Sequence, residues 1–92
     1  MTDWYVYMVR CSDNTLYTGI TRDIARRIEE HNADNRRGAA YTRSRRPVSL
    51  VYGETCRSRS EATLRELVIK QMSREEKETL LGEVGDTDNL IT

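Results

Sequence analysis

A chain of 92 residues, 37% hydrophobic and 33% charged, is sized for one domain with one modest core and leaves no room for a second. Five Gly, one Pro and two Cys exclude collagen, low-complexity disorder and a disulfide-dense scaffold. The net charge is zero, yet eight Arg against four acids fall between positions 22 and 46, and two bases against six acids between 74 and 92.

Residues 4–10 (Trp-Tyr-Val-Tyr-Met-Val-Arg) are aromatic and β-branched and predict a strand. The apolar run inside it is six residues long. That is too short for a transmembrane helix or a secretory signal, so a cytoplasmic protein with no membrane partner is expected. Ser12-Asp13-Asn14-Thr15 is turn chemistry, and residues 16–20 predict a second strand that closes a hairpin. A three-residue loop pairs Tyr7 with Gly19 and Val9 with Tyr17, which gathers Tyr7, Tyr17 and Gly19 on one face. A two-residue Asp13-Asn14 turn slips the register and turns Tyr7 away from Tyr17. The sequence leaves both registers open.

Thr21 or Asp23 suits an N-cap, with a helix over residues 23–32. At 100° per residue, Ile24, Ile28 and His31 share one face of this helix, with Arg27 at its margin. Residues 33–46 predict a polar, Arg-rich loop carrying Gly38 and Tyr41. Pro47 opens a third strand through Cys56, with Val48, Leu50 and Tyr52 expected on one face. Ser58 or Ser60 caps a helix reaching Met72, in which Leu64, Leu67, Val68 and Met72 form the expected apolar face and Ile69 and Ala62 extend it on one side. Glu66 falls just past the margin of that face and pairs with Lys70 one turn on. Ser73-Arg-Glu-Glu is a capping box that starts a third helix running to about Leu81, and Gly82 and Gly85 are expected to end regular structure. The reading is α+β: a three-stranded antiparallel sheet flanked by three helices, ordered β-β-α-β-α-α. Residues 1–82 form one domain and 83–92 an acidic flexible tail.

Cys11, Cys56 and His31 cannot build a closed four-ligand zinc site. Free thiols are expected, with a disulfide left open. Arg outnumbers Lys thirteen to two. Guanidinium forks match phosphate oxygens, so the basic middle suits a nucleic-acid partner; the plainer alternative is a general bias toward Arg.

Tyr5-Val6-Tyr7, then Tyr17-Thr18-Gly19 ten positions after Tyr7, then Arg27 and His31 on the next helix, resemble the GIY-YIG endonuclease superfamily. The helix carrying Glu66 looks like that family's metal-carrying helix. The likeness covers about residues 4–81 and is nearest to small stand-alone bacterial members of the YhbQ type. It implies the GIY-YIG fold and a phosphodiesterase site. Tyr17 would contact the attacking water as base or relay, supported by Tyr7, and Arg27 would hold the scissile phosphate. His31 would move a proton or orient the water, and Tyr41 would border the site. Glu66 would be the one protein ligand of a divalent metal, Mg²⁺ or Mn²⁺. Gly19 would leave room for substrate. Arg36, Arg37, Arg43, Arg45 and Arg46 would contact the nucleic-acid backbone, with Lys70 near Glu66. The expectation is a monomeric, metal-dependent endonuclease on DNA, structure-selective or weakly sequence-specific, in repair or recombination. The alternative is a non-catalytic DNA- or RNA-binding module on the same fold, since the family's later Asn has no assigned counterpart here.

Overall fold

The computed structural model describes residues 3–83; of the acidic segment expected from residue 83, all but Glu83 lies outside the described residues. Strand β1 (Trp4–Arg10) is the middle strand of a sheet ordered β2-β1-β3, antiparallel throughout, with β2 spanning Leu16–Thr21 and β3 Ser49–Cys56. A strand buried on both faces needs a run of apolar side chains rather than alternation. Accordingly Val6, Tyr7, Met8 and Val9 are each at most 1% exposed.

The hairpin takes the three-residue register: Tyr7 pairs with Gly19 and Val9 with Tyr17. Its loop is closed by the Cys11 N–H donating to the Thr15 carbonyl at 2.8 Å, and Asn14 adopts φ 68°. A three-residue hairpin loop needs one left-handed position, which Asn tolerates, and the Asp13 carboxylate fixes the turn by accepting from Thr15.

Helix α1 (Ile24–Ala33) packs Ile24 and Ile28 against Tyr7, Val9, Cys11 and Val48 on one face of the sheet. Helices α3 (Arg59–Lys70) and α4 (Arg74–Glu83) bring Ala62, Ile69, Leu80 and Leu81 to the other face, over Val6, Met8, Tyr52 and Cys56. The order is thus β-β-α-β-α-α, α+β, with one addition: a single helical turn, α2 (Ala40–Arg43), inside the expected loop. The caps resolve to Asp23 for α1 and Ser58 for α3. Ser73 and Glu76 form the reciprocal capping box of α4. Cys11 and Cys56 are free thiols in the cores on opposite faces of the sheet.

Three local expectations are corrected. Leu50 and Tyr52 do not share a face: β1 pairs Val9 with Leu50 and Met8 with Tyr52, so Val51 is an extra, bulged residue that flips the strand between them. The helix of α4 runs through Gly82 to Glu83 instead of ending at the glycine. In α3 only one side of the expected apolar arc is inward: Ala62 and Ile69 are fully buried and Met72 packs on the core, while Leu64, Leu67 and Val68 point outward at 66%, 53% and 48% exposure. A tie from the inner side turns the helix this way. Arg65 Nε donates to both carboxylate oxygens of Glu54 at 3.0 Å, and Glu54 also accepts from the Tyr52 hydroxyl.

Candidate active site

The hairpin register sets the first element of the site. Tyr7 lies opposite Gly19, and its ring crosses β2 at that point: a Cβ on Gly19 would fall 2.6 Å from the Tyr7 hydroxyl. Only a residue without a side chain lets the phenol reach this position.

Helix α1 supplies the second element. His31 faces inward and is fully buried, with Nε2 2.6 Å from the Tyr7 hydroxyl and Nδ1 3.0 Å from Thr42 Oγ1. Thr42 donates its own proton to the Ala39 carbonyl at 3.0 Å, so its oxygen is left to accept from Nδ1–H. Nε2 is then bare and accepts from the Tyr7 hydroxyl, whose oxygen sits beside the Arg27 guanidinium, a group that only donates. The Ala39 N–H donates toward Nδ1 at a long 3.4 Å, a contact that favours the opposite tautomer and is outweighed here by the shorter Thr42 bond. Burial, reinforced by the charge of Arg27, lowers the His31 pKa to about 4, so the ring is neutral at physiological pH. Burial also pushes the Tyr7 phenol well above its ordinary range; Arg27 opposes this, and Tyr17 and Glu66 add to it.

Around this pair the aromatic rings are layered. Tyr17 stands edge-on to His31 with centroids 5.4 Å apart, and it stacks on Tyr41 at 5.8 Å. The Arg45 guanidinium lies 4.0 Å from the Tyr41 centroid. Arg27 is held by Glu30 at 2.8 Å and by the Arg37 carbonyl. Glu66, on α3, keeps 21% of its side chain exposed beside Lys70 at 3.4 Å. Its negative charge is the smallest of the influences that raise the Tyr7 pKa.

The structure therefore gathers Tyr7, Tyr17, Gly19, Arg27, His31 and Tyr41; Glu66 stands on α3, which packs on the opposite face of the sheet. The basic loop divides. Arg45 pairs with Asp13 and donates to the Tyr41 carbonyl, while Arg46 donates to the carbonyls of His31 and Asp34 and to Asn35. Arg45 ties the loop to the hairpin turn, and Arg46 ties it to the end of α1. Arg36, Arg37 and Arg43 are exposed, as is Lys70. Thr42 and Glu30 enter the site without having been singled out from sequence. Glu30 carried a signal, standing one turn after Arg27; Thr42 carried none. Among the described residues no group of three or more His, Cys, Asp and Glu could hold a metal ion. A lone carboxylate such as Glu66 suits a hard divalent cation that keeps most of its positions for water and phosphate, and does not suit an all-protein cage.

Two hairpin tyrosines set against an inward His and Arg on the following helix, with a carboxylate on a later helix, are the residues through which the chain resembles a GIY-YIG domain. Residues 3–79 match the sequence profile of that domain. A UPF0213 protein of Desulfotalea psychrophila is 65% identical over 78 residues, covering 85% of this chain and 70% of the relative. A UPF0213 protein of Halobacterium salinarum is 54% identical over 76 residues, covering 83% and 96%. The solution NMR structure of a UPF0213 protein from Bacillus halodurans superposes with a TM-score of 0.59 at 39% identity, covering 96% of this chain and 93% of that one. The chain belongs to the GIY-YIG family, a class of nuclease-like domains, and its relatives are the small UPF0213 proteins. No helix among the described residues is long and apolar enough to cross a membrane.

Proposed function

We propose that the protein is a metal-dependent endonuclease that hydrolyses phosphodiester bonds in DNA, acting as a cytoplasmic monomer with structure-selective or weakly sequence-specific cutting, in repair or recombination. The observation that carries this reading is the Tyr7–His31 hydrogen bond beside the Arg27 guanidinium. A phenol is a weak base at neutral pH, but one that hands its proton to a bare imidazole nitrogen takes a proton from water at lower cost. Tyr7 accepts the proton of the attacking water as its own passes to His31. Tyr17, half-buried between His31 and Tyr41, borders that water. Arg27 neutralises the non-bridging oxygens of the scissile phosphate, which requires its release from the Arg37 carbonyl. Glu66 holds Mg²⁺ or Mn²⁺, which when bound supplies positive charge to the reacting phosphate and its leaving oxygen. Arg36, Arg37 and Arg43 contact the strand backbone, positioned by Arg45 and Arg46.

The same geometry supports a second reading, a non-catalytic nucleic-acid-binding module. Tyr7 is 1% exposed and Arg27 is already engaged by Glu30 and Arg37, a resting arrangement with the phosphate-holding group closed off. Labelled duplex, flap and branched DNA incubated with Mg²⁺ or Mn²⁺ separates the two. Under the nuclease reading the wild type cuts and Glu66→Ala does not. Metal-independent, salt-sensitive binding with no cutting on any substrate establishes the module instead.

A further inference from the structure

Trp4 is the only tryptophan of the chain. It opens β1, half-buried against the Val6 and Met8 core. Strand register places the ends of both neighbours beside it: Tyr5 pairs with Thr21 at the end of β2, and Trp4 itself pairs with Cys56 at the end of β3. The segments leaving those strands carry Arg22 and Arg59, whose guanidinium carbons lie 5.7 and 5.6 Å from the indole centroid. Both separations fall within the reach of a cation over a ring, so the two guanidiniums rest over an indole that is itself only half-buried.

A cleft of about 420 Å³ opens at this point, within the size range of pockets that hold small organic groups. Its wall runs from Trp4, Arg22 and Arg59 to Arg26 and Arg27. It is therefore continuous with the guanidinium that faces the Tyr7 hydroxyl. The carboxylates on the wall are engaged internally: Asp23 caps α1, and Glu30 pairs with Arg26 and Arg27. Arg22 and Arg59 meet at one indole, where their like charges repel and do little for the fold. An anion bearing a flat aromatic group satisfies both features at once.

We propose that this cleft binds an unpaired nucleotide of a DNA strand next to the bond that Arg27 addresses, with the base stacked on Trp4 and the flanking phosphates held by Arg22 and Arg59. The identity of that bond rests on the nuclease reading above; the site itself adds the preference for a single-stranded segment. Bases inside a duplex have both faces covered by their neighbours, whereas an unpaired base has a face free for an aromatic platform.

Trp4 reports on its own occupancy through fluorescence. The full chain is titrated in EDTA, so that no strand is cut, with a short oligothymidylate, a duplex of equal length and an abasic oligomer that keeps the phosphates. The expected result is saturable quenching by oligothymidylate, little by duplex, and none by the abasic strand. Arg22→Ala combined with Arg59→Ala, which leaves the core intact, weakens oligothymidylate binding about tenfold or more. With Mg²⁺ present, Trp4→Ala brings flap and duplex cleavage rates together. Equal quenching by all three probes, no quenching, or unchanged affinity in the double variant overturns the proposal. Stronger quenching by oligouridylate overturns its assignment to DNA. Quenching by oligothymidylate with no cleavage in Mg²⁺ keeps this site and removes the nuclease reading; cleavage without quenching does the reverse.

Discussion

The Tyr7 hydroxyl and Nε2 of His31 lie 2.6 Å apart, joining the central strand to α1 between side chains that are 1% and 0% exposed. A dry pair of this kind has a titration signature. Burial lowers the His31 pKa to about 4, against about 6.5 in an unfolded chain. Between those values the unfolded chain binds a proton that the native state does not. The native state therefore has its full stability above the window and loses it as pH falls through it, by on the order of 3 kcal/mol at the lower end. The Glu78 carboxylate, held down to about 2 by the Arg10 and Arg74 guanidiniums against 4.5 in the unfolded chain, adds its own loss below about pH 5 in wild type and variant alike, so His31 is read from the difference between them. Urea unfolding across pH 7 to 4 is expected to show a steep loss in the wild type and a flattened one in His31→Gln. Parallel slopes would remove the assignment.

Gly19 is expected to tolerate no side chain. A Cβ there would lie 2.6 Å from the Tyr7 hydroxyl and 2.8 Å from Cζ, and the ring is enclosed by core. Gly19→Ala must therefore push Tyr7 off His31, at a stability cost of about 1–3 kcal/mol. It also removes cleavage. The check is a double-mutant cycle: in a Tyr7→Phe background the alanine should have little further effect on cleavage, because the hydroxyl it displaces is already gone.

The legibility of this fold varies with how local each determinant is. The apolar run of β1 and the Ser73 capping box were plain in the sequence because each signal lies within a few residues. The hairpin register turned on the left-handed backbone of Asn14, which a sequence allows but does not demand. Tyr52 was placed on the wrong face because a bulge at Val51 leaves no trace in an alternating pattern. Arg45 and Arg46 read as free cations, although their partners Asp13 and the α1 carbonyls are brought close only by folding. Tyr7, Tyr17, Arg27 and His31 stand out through the family's spacing, and folding brings these four together. Thr42 and the Trp4 cleft do not stand out, since both depend on where chain segments meet.

Helix α3 gives the clearest test of such long-range determination. Its Leu64 and Leu67 dominate a hydrophobicity pattern, yet they are exposed, while Ile69 is fully buried. Leu64→Ala and Leu67→Ala should each change unfolding free energy by no more than about 0.5 kcal/mol. Ile69→Ala should cost about 2–5 kcal/mol. Chemical denaturation of the three variants decides the matter, and a reversed ranking would mean that α3 is rotated to the face its leucines suggest.

Thr42 is expected to control the proton on His31. Fully buried, it donates to the Ala39 carbonyl and lies 3.0 Å from Nδ1; in the tautomer assigned above it accepts from Nδ1–H and leaves Nε2 open to Tyr7. Thr42→Val keeps the shape and deletes the acceptor, so the Nδ1–H is left buried and unpaired. The ring then gains by moving its proton to Nε2, where it no longer accepts from the phenol. Imidazole ¹⁵N chemical shifts should report the change of tautomer whether or not the protein cuts DNA. Cleavage should fall about a hundredfold, the low end of what a positioned proton acceptor supplies. Thr42→Ser restores the hydroxyl and should recover both readouts. A merely structural role predicts that Thr42→Val lowers stability while the ¹⁵N shifts stay where they are, and that result would dismiss the relay.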